Sequence, residues 1–286
     1  MPKDSRIYRN YIGGAWMESL ARRYAPNTNP ADASDLIGEA PLSISDEAIA
    51  AAEVAAHAFR SWRETPAPER GALVVRAARL LAEHSEQVAR VIVREQGKTL
   101  AEARTEAQRA TAYAEFCGAA AAMSDGATVP LRSAERFGYT RRRPLGVAAL
   151  LTPDWSPLAL PFERLAQALV SGNTVILKPA LATPETAEWL VRCFADAGAP
   201  SGVVNLVHGA NDETGATLID HPAVRVVWIG GLHADIVSAR RQAELRNIRF
   251  MSEQRDVNPV IVLEDADLDL ALSGVVAGAF GNAGQS

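Results

Sequence analysis

The sequence predicts an α/β fold: a Rossmann-like parallel sheet with helices on both faces, preceded by a helical segment and interrupted by a projecting β-ribbon. Three observations carry that expectation. From Leu145 onward, short apolar runs alternate with helix-length segments, the pattern that right-handed crossovers impose on a parallel sheet. Between about 45 and 123 the pattern is helical, with Leu73, Ala77, Leu80, Leu81 and Val88 on one stripe. Between 125 and 145, Val129-Pro130-Leu131 and Phe137-Gly138-Tyr139-Thr140 form two short extended runs, flanked by Asp125-Gly126 and Glu135-Arg136.

Taken in order, residues 6–42 are turn-rich and weakly strand-like, and Gly13-Gly14 suits a tight hairpin because glycine accepts positive φ. Ser45 is the expected cap of the first helix, with Asp46 and Glu47 set against the positive end of its dipole. Helices are expected over 45–63, 67–97 and 99–123. A two-stranded ribbon is marginal alone in water, so the 125–145 ribbon is expected to pair with another surface, such as a second subunit.

The expected sheet strands are Val147 to Leu151, Thr174 to Leu177, Val203 to Val207 and Val224 to Ile229. Helices should follow at 157–171, 184–198, 212–219 and 233–246. Thr183-Pro184 supplies a cap and a first-turn proline, and Gly198-Ala199-Pro200 a helix stop. In such sheets ligands sit beyond the carboxyl ends of the strands, so the loops after 151, 177, 207 and 229 are where chemistry belongs. Pro259 to Leu263 and a helix from about Asp267 read as the opening of a second domain.

Composition narrows the partners. The 286 residues are 48% hydrophobic, enough for a large core, and the formal net charge of −5 gives no general pull toward nucleic acid or anionic membrane. Arg141-Arg142-Arg143 reads as a solvated strand end. No stretch has the length and apolarity of a membrane span, and the first residues lack a secretory core. Cys117 and Cys193 are too few for a disulfide framework and sit in helical text as structural thiols; a reducing cytoplasm is the expectation. The five histidines show no ligand spacing, so no metal site is expected.

Three constellations carry possible chemistry. Lys178, in Leu177-Lys178-Pro179-Ala180 at a strand's carboxyl end, either reaches ribose or phosphate in a dinucleotide crevice or caps the sheet as a surface lysine. Gly230-Gly231 before a helix can bring backbone amides to a pyrophosphate, although the G-x-G-x-x-G fingerprint is absent. Glu253 is either a general base between domains or a solvated loop carboxylate.

The order of these motifs resembles the aldehyde dehydrogenase superfamily. Thr152-Pro153, Ser171 to Ala180, Gly202-Val203-Val204-Asn205, His221-Pro222, Gly231, Glu253, Pro259, Asp265 to Asp269 and Phe280-Gly281-Asn282-Ala283-Gly284-Gln285-Ser286 all fall in register with it. Tyr11-Ile12-Gly13-Gly14, Gln96-Gly97-Lys98 and Arg143-Pro144-Leu145-Gly146-Val147 also look like it. The resemblance covers essentially the whole chain. It implies NAD- or NADP-dependent oxidation of a small-molecule aldehyde to a carboxylic acid. A cysteine nucleophile, an asparagine–amide oxyanion hole and a glutamate base would do the chemistry. It implies that Glu253 is the base and that Thr152, Pro153, Lys178, Pro179, Ala180 and Gly231 bind the cofactor. It further implies a dinucleotide-binding domain over 1–124 and 146–252, an oligomerisation ribbon over 125–145 making a homo-oligomer, and the start of a catalytic domain over 253–286. In the family the nucleophilic cysteine follows the F-x-N-x-G-Q-x segment at once, so the sequence reads as truncated immediately before it.

Several positions depart from the family pattern. Trp155 stands where the oxyanion asparagine belongs, and losing one such donor costs about 10²–10³ in rate. Leu181 replaces a ribose-binding glutamate and leaves NAD against NADP open. Leu232 replaces a hydroxyl, and Ile236 puts a β-branched side chain where a glycine allowed close approach. Arg255 and Asp256 replace glycines beside the nicotinamide, where their side chains would crowd it. Three readings follow: a family enzyme, a catalytically dead nucleotide-binding or dimerising module, or a remnant with a sticky apolar surface at 271–280.

Overall fold

The computed structural model of the chain describes residues 6–123, 126–132, 135–254 and 258–285. Asp125, Arg255, Asp256 and Ser286 lie outside the described residues, and with them the expected crowding by Arg255 and Asp256.

Gly13 and Gly14 adopt φ of 63° and 89°, which lets the chain reverse in two residues. After β1 (Arg6–Ile7), the strands β2 (Asn10–Ile12) and β3 (Ala15–Met17) therefore pair antiparallel, with Tyr11 opposite Trp16. β4 (Tyr24–Thr28) and β5 (Leu36–Pro41) form a separate small sheet with β1. Next come α1 (Ser45–Trp62), α2 (Ala67–Glu83), α3 (Ser85–Gln96) and α4 (Leu100–Ala120). Two expectations need correction. The single helix expected over 67–97 is two, because the backbone leaves helical geometry at His84 (φ −103°, ψ 9°). Ser45 is the first helical residue and not the cap; Ile44 holds the cap position, and its N–H donates to the Glu47 carboxylate.

β6 (Thr128–Val129) and β7 (Gly138–Tyr139) pair antiparallel as the expected ribbon. The alternating half follows: β8 (Val147–Leu151), α5 (Ala159–Val170), β9 (Thr174–Lys178), α6 (Pro184–Asp196), β10 (Val204–Leu206), α7 (Ala216–Asp220), β11 (Val224–Gly231), α8 (His233–Leu245), β12 (Arg249–Gln254) and α9 (Leu268–Gly284). The sheet order is β12-β11-β8-β9-β10-β2-β3, with the first five strands parallel. The N-terminal hairpin thus closes one edge of the main sheet, Tyr11 pairing antiparallel with Leu206.

Side chains alternate across the sheet, as the pleat requires. Leu150, Val175, Leu177 and Trp228 share one core with residues of α2, α4, α5 and α6, while Ala149, Leu151, Ile176, Val227 and Ile229 share the other with residues of α1, α7 and α8. A strand buried on both faces is apolar at most positions, and that is why these strands read as near-continuous apolar runs.

The expected Thr183 cap makes no side-chain hydrogen bond to its helix. Glu95 takes that role instead, its carboxylate accepting from the Glu185 and Thr186 N–H groups at 2.7 and 3.0 Å. Pro259 to Leu263 forms no strand. Val260, Ile261, Val262 and Leu263 are exposed, and none of the described α9 residues is buried.

Candidate active site

The carboxyl ends of β8, β9, β10 and β11 converge on one cleft of about 320 Å³. Thr152 and Pro153 enter it from the end of β8, Lys178 and Ala180 from β9, Gly209 and Asn211 from the loop after β10, and Gly231 from β11. Five of the six residues assigned to cofactor binding by resemblance are brought together here. Pro179 is not on the cleft wall; its carbonyl accepts from Lys178 Nζ at 3.0 Å.

Lys178 is 3% exposed and is no surface cap. Its ammonium donates to the carbonyls of Pro179 and Gly209, both at 3.0 Å, leaving one N–H for a further acceptor. Burial pulls its pKa down to about 8, opposed by the nearby carboxylates of Asp235 and Asp212. Behind it lies His208, fully buried with neither ring nitrogen hydrogen-bonded. Burial, then the Lys178 charge, push His208 down to about 3, so this imidazole is neutral at pH 7.

The glycine pair divides its roles. A Cβ on Gly230 would lie 2.7 Å from Pro153, so that close approach requires glycine, whereas a Cβ on Gly231 would meet nothing within 4 Å. The open face at Gly231, the uncapped N-terminus of α8 beside it and the Lys178 ammonium form a cradle suited to an anionic dinucleotide. Leu232 lines the cleft as an exposed apolar side chain in place of a hydroxyl. The expectation for Ile236 is overturned: it is buried in the core beneath the sheet, packed with Val207, Leu218 and Ile229, and does not line the cleft. On a helix, successive side chains are turned by about 100°, so Ile236 faces the core while its neighbour Asp235 lines the cleft.

A second cavity of about 660 Å³ adjoins the first through Trp155, which lines both, and contains Glu253, Ser156, Asn282 and Gln285. Glu253 is on β12, opposite Gly230, and not on a loop. β12 carries the chain through residues 252 and 253 without a break. The Glu253 carboxylate accepts from Arg164 Nη2 at 3.0 Å, and that guanidinium stacks 5.3 Å from the Trp228 ring centroid. One carboxylate oxygen is therefore already engaged.

Sequence reasoning missed the frame that holds the 152–158 loop. Gln96 Nε2 donates to the Asp154 carbonyl at 3.1 Å, and Lys98 Nζ to the Trp155 carbonyl at 3.4 Å. Lys98 also forms a buried ion pair with Glu106, whose other oxygen accepts from Leu158 and Ala159 N–H at 2.9 and 3.1 Å and so caps α5. Asn282 Nδ2 donates to the Trp155 carbonyl at 2.9 Å, tying the 280–286 motif to the same loop. The Gln96-Gly97-Lys98 text was a visible signal, but its partners lie about 57 residues away in sequence.

A family model for the aldehyde dehydrogenase family matches residues 16–286. The chain belongs to the aldehyde dehydrogenase family. It is 34% identical over 282 residues to the alpha-ketoglutaric semialdehyde dehydrogenase of Bacillus subtilis (strain 168), covering 99% of this chain and 58% of that one. Among solved structures, an E. coli NADP dependent enzyme superposes with TM-score 0.94 at 33% identity, over 98% of this chain and 58% of that one. The NAD+ complex of the Bacillus cereus aldehyde dehydrogenase does so with TM-score 0.94 at 29% identity, over 98% and 57%. The chain thus spans about 58% of the length of the relatives it matches. Among the described residues no helix is long and apolar enough to cross a membrane, and no cluster of His, Cys, Asp or Glu could hold a metal ion.

Proposed function

We propose that this chain is the dinucleotide-binding portion of an NAD(P)-dependent aldehyde dehydrogenase acting on a small-molecule aldehyde. The observation that carries the reading is the convergence of Thr152, Pro153, Lys178, Ala180 and Gly231 on one cleft at the carboxyl edge of a parallel sheet. When bound, NAD or NADP supplies the hydride acceptor. Lys178 would hold it through its remaining N–H, and the Gly231 backbone and α8 N-terminus would receive its phosphates. Glu253, lining the adjoining cavity, would act as general base for acid release once its Arg164 partner yields the engaged oxygen. In this reading residues 1–124 and 146–252 form the dinucleotide-binding domain and 253–286 open the catalytic domain.

The same geometry supports a second reading, a nucleotide-binding module with impaired turnover. Trp155 stands between the two cavities where the family pattern has an amide, and Arg164 occupies the proposed base. The discriminating experiment combines calorimetry with NAD and NADP and a spectrophotometric assay for aldehyde-dependent reduced cofactor. Binding of either dinucleotide supports both readings, aldehyde-dependent reduction of the cofactor would overturn the second, and no binding overturns both.

We also propose homo-oligomerisation through the 125–145 ribbon, whose described residues include the exposed Val129, Leu131, Phe137 and Tyr139. Light scattering should show an oligomer that Phe137→Asp weakens; a monomer would exclude this. Cys117 and Cys193, both free and buried, suit a reducing cytoplasm.

A further inference from the structure

The run Arg141-Arg142-Arg143 is exposed, as a strand end should be, and does not line the cofactor cleft. Its surroundings are more than solvent. All three residues line a cavity of about 850 Å³ together with Arg63 and Arg70, and Glu64 is the one carboxylate among the described lining residues. Glu64 is already paired with Arg63 at 2.8 Å. Five arginines thus line one space in a chain whose formal net charge is −5.

The cavity lies at the opposite edge of the sheet from the cofactor cleft. Leu145 and Asn173, which line it, come just before β8 and β9, whereas Thr152 and Lys178 stand at the carboxyl ends of those strands. Each strand is five residues long, which separates the two edges by roughly 16 Å.

Arg70 is the residue that points to a ligand. It comes from the start of α2 and is only 9% exposed. Nε donates to the Val170 carbonyl at 3.0 Å and Nη1 to the Thr65 carbonyl, which leaves Nη2 without an acceptor among the described residues. Burial pulls its pKa down, and no described carboxylate offsets that. A guanidinium is rarely buried without an anion, because the cost of desolvating the charge is offset only by a paired negative group. Arg141 and Arg143 likewise make no ion pair or hydrogen bond with any described residue. Pro66 and Ala67 bring the N-terminus of α2, which has no side-chain cap, to the same wall.

We infer that this cavity is a binding site for a small polyanion of the phosphate type, separate from the cofactor cleft. Guanidinium forks and helix N–H groups both match phosphate oxygens, and several like charges around one space are best neutralised by several phosphates on one compact molecule. Arg70 supplies the buried anchor through Nη2, and Arg141 and Arg143 hold the ligand from the exposed side.

The test is calorimetric titration of the chain with inorganic tripolyphosphate at pH 7 and low salt. One equivalent should bind, roughly tenfold tighter than sulfate, with an affinity that falls steeply as salt is added. Arg141→Gln combined with Arg143→Gln, both at exposed positions, should weaken tripolyphosphate roughly tenfold or more with circular dichroism unchanged. Arg70→Lys keeps the charge but loses the fork, and should weaken it severalfold. Lys178→Met should leave it within about twofold, because that side chain is at the other edge of the sheet. Absence of saturable binding, several weak equivalents per chain, or an affinity unmoved by either set of arginine substitutions overturns the site. Loss of binding in Lys178→Met would put the probe in the cofactor cleft and overturn it equally. Light scattering on the same samples covers the remaining occupant. An oligomer that dissociates as the anion binds would mean that carboxylates of a second copy fill the cavity, and would overturn a small-molecule ligand.

Discussion

Phe162 in α5 and Phe280 in α9 are the same side chain on apolar helices, yet the first is 0% exposed and the second 74%. α5 lies between the sheet and α2 and α4, so Phe162 meets Phe194 edge-on at 5.4 Å between ring centroids and contributes to a shared core. α9 is at least as apolar, yet its described residues pack against no facing element deeply enough for any to be buried. It is tethered by polar contacts at its far end, where Asn282 N–H donates to Glu102 at 2.6 Å and its side chain to Trp155. Apolar content states what a segment would gain by burial. Whether it gains it depends on a complementary surface.

The sharpest way to break that contrast is a matched pair of substitutions. Phe162→Ala should cost about 3–5 kcal/mol in equilibrium urea unfolding, whereas Phe280→Ala should stay within about 0.5 kcal/mol. Equal costs would show that α9 is packed in solution. A second test stays within the buried region. His208 has its pKa lowered to about 3 in the folded chain, so below its ordinary value near 6.5 the unfolded chain binds the extra proton. Stability is therefore fully present above about pH 6.5 and is lost as pH falls toward 3, at up to about 1.4 kcal/mol per pH unit for this group. His208→Gln should flatten that part of the pH–stability curve, and an unchanged slope would remove His208 as its source.

A third test compares the cleft with the tail. Lys178→Met should weaken dinucleotide binding roughly tenfold, the usual scale for one charge-assisted hydrogen bond. Because burial lowers the Lys178 pKa to about 8, wild-type affinity should fall as pH rises from 7 to 9, and the variant should be flat over that range. No substitution on the exposed face of α9, such as Leu272→Ser, should change that affinity. The smallest effect is expected at the tether. Glu102→Gln should speed amide exchange around Asn282 while shifting Tm by no more than a degree or two.

Much of the sheet was legible because parallel strands covered on both faces are apolar over most of their length, as Val147 to Leu151 and Val175 to Leu177 are. β12 was not, since an edge strand reading Arg-Phe-Met-Ser-Glu-Gln is half-exposed and carries no such run. The cap of α6 was misread for a related reason. Thr183-Pro184 is a sound local signal, but Glu95, distant in sequence, supplies the carboxylate. Ile236 was placed by its register with the family pattern, when its side of the helix decided that it belongs to the core. That Lys178, Thr152, Pro153, Ala180 and Gly231 would meet at one cleft was legible from the family resemblance, and physically because strand ends in such a sheet share one edge.

The sequence by itself determined the alternation of strand and helix, the hairpin at Gly13-Gly14, the family and the strand ends that line the cleft. These follow from local rules: side-chain periodicity, the φ freedom of glycine and the order of motifs along the chain. Only the tertiary structure decided that Arg164 engages Glu253, that Asn211 fixes Asp235 across the cleft and that Gln96, Lys98, Glu106 and Asn282 hold the 152–158 loop. Those are contacts between polar groups far apart in sequence. Their strength depends on burial and on direction, and neither is encoded in the spacing of residues along the chain.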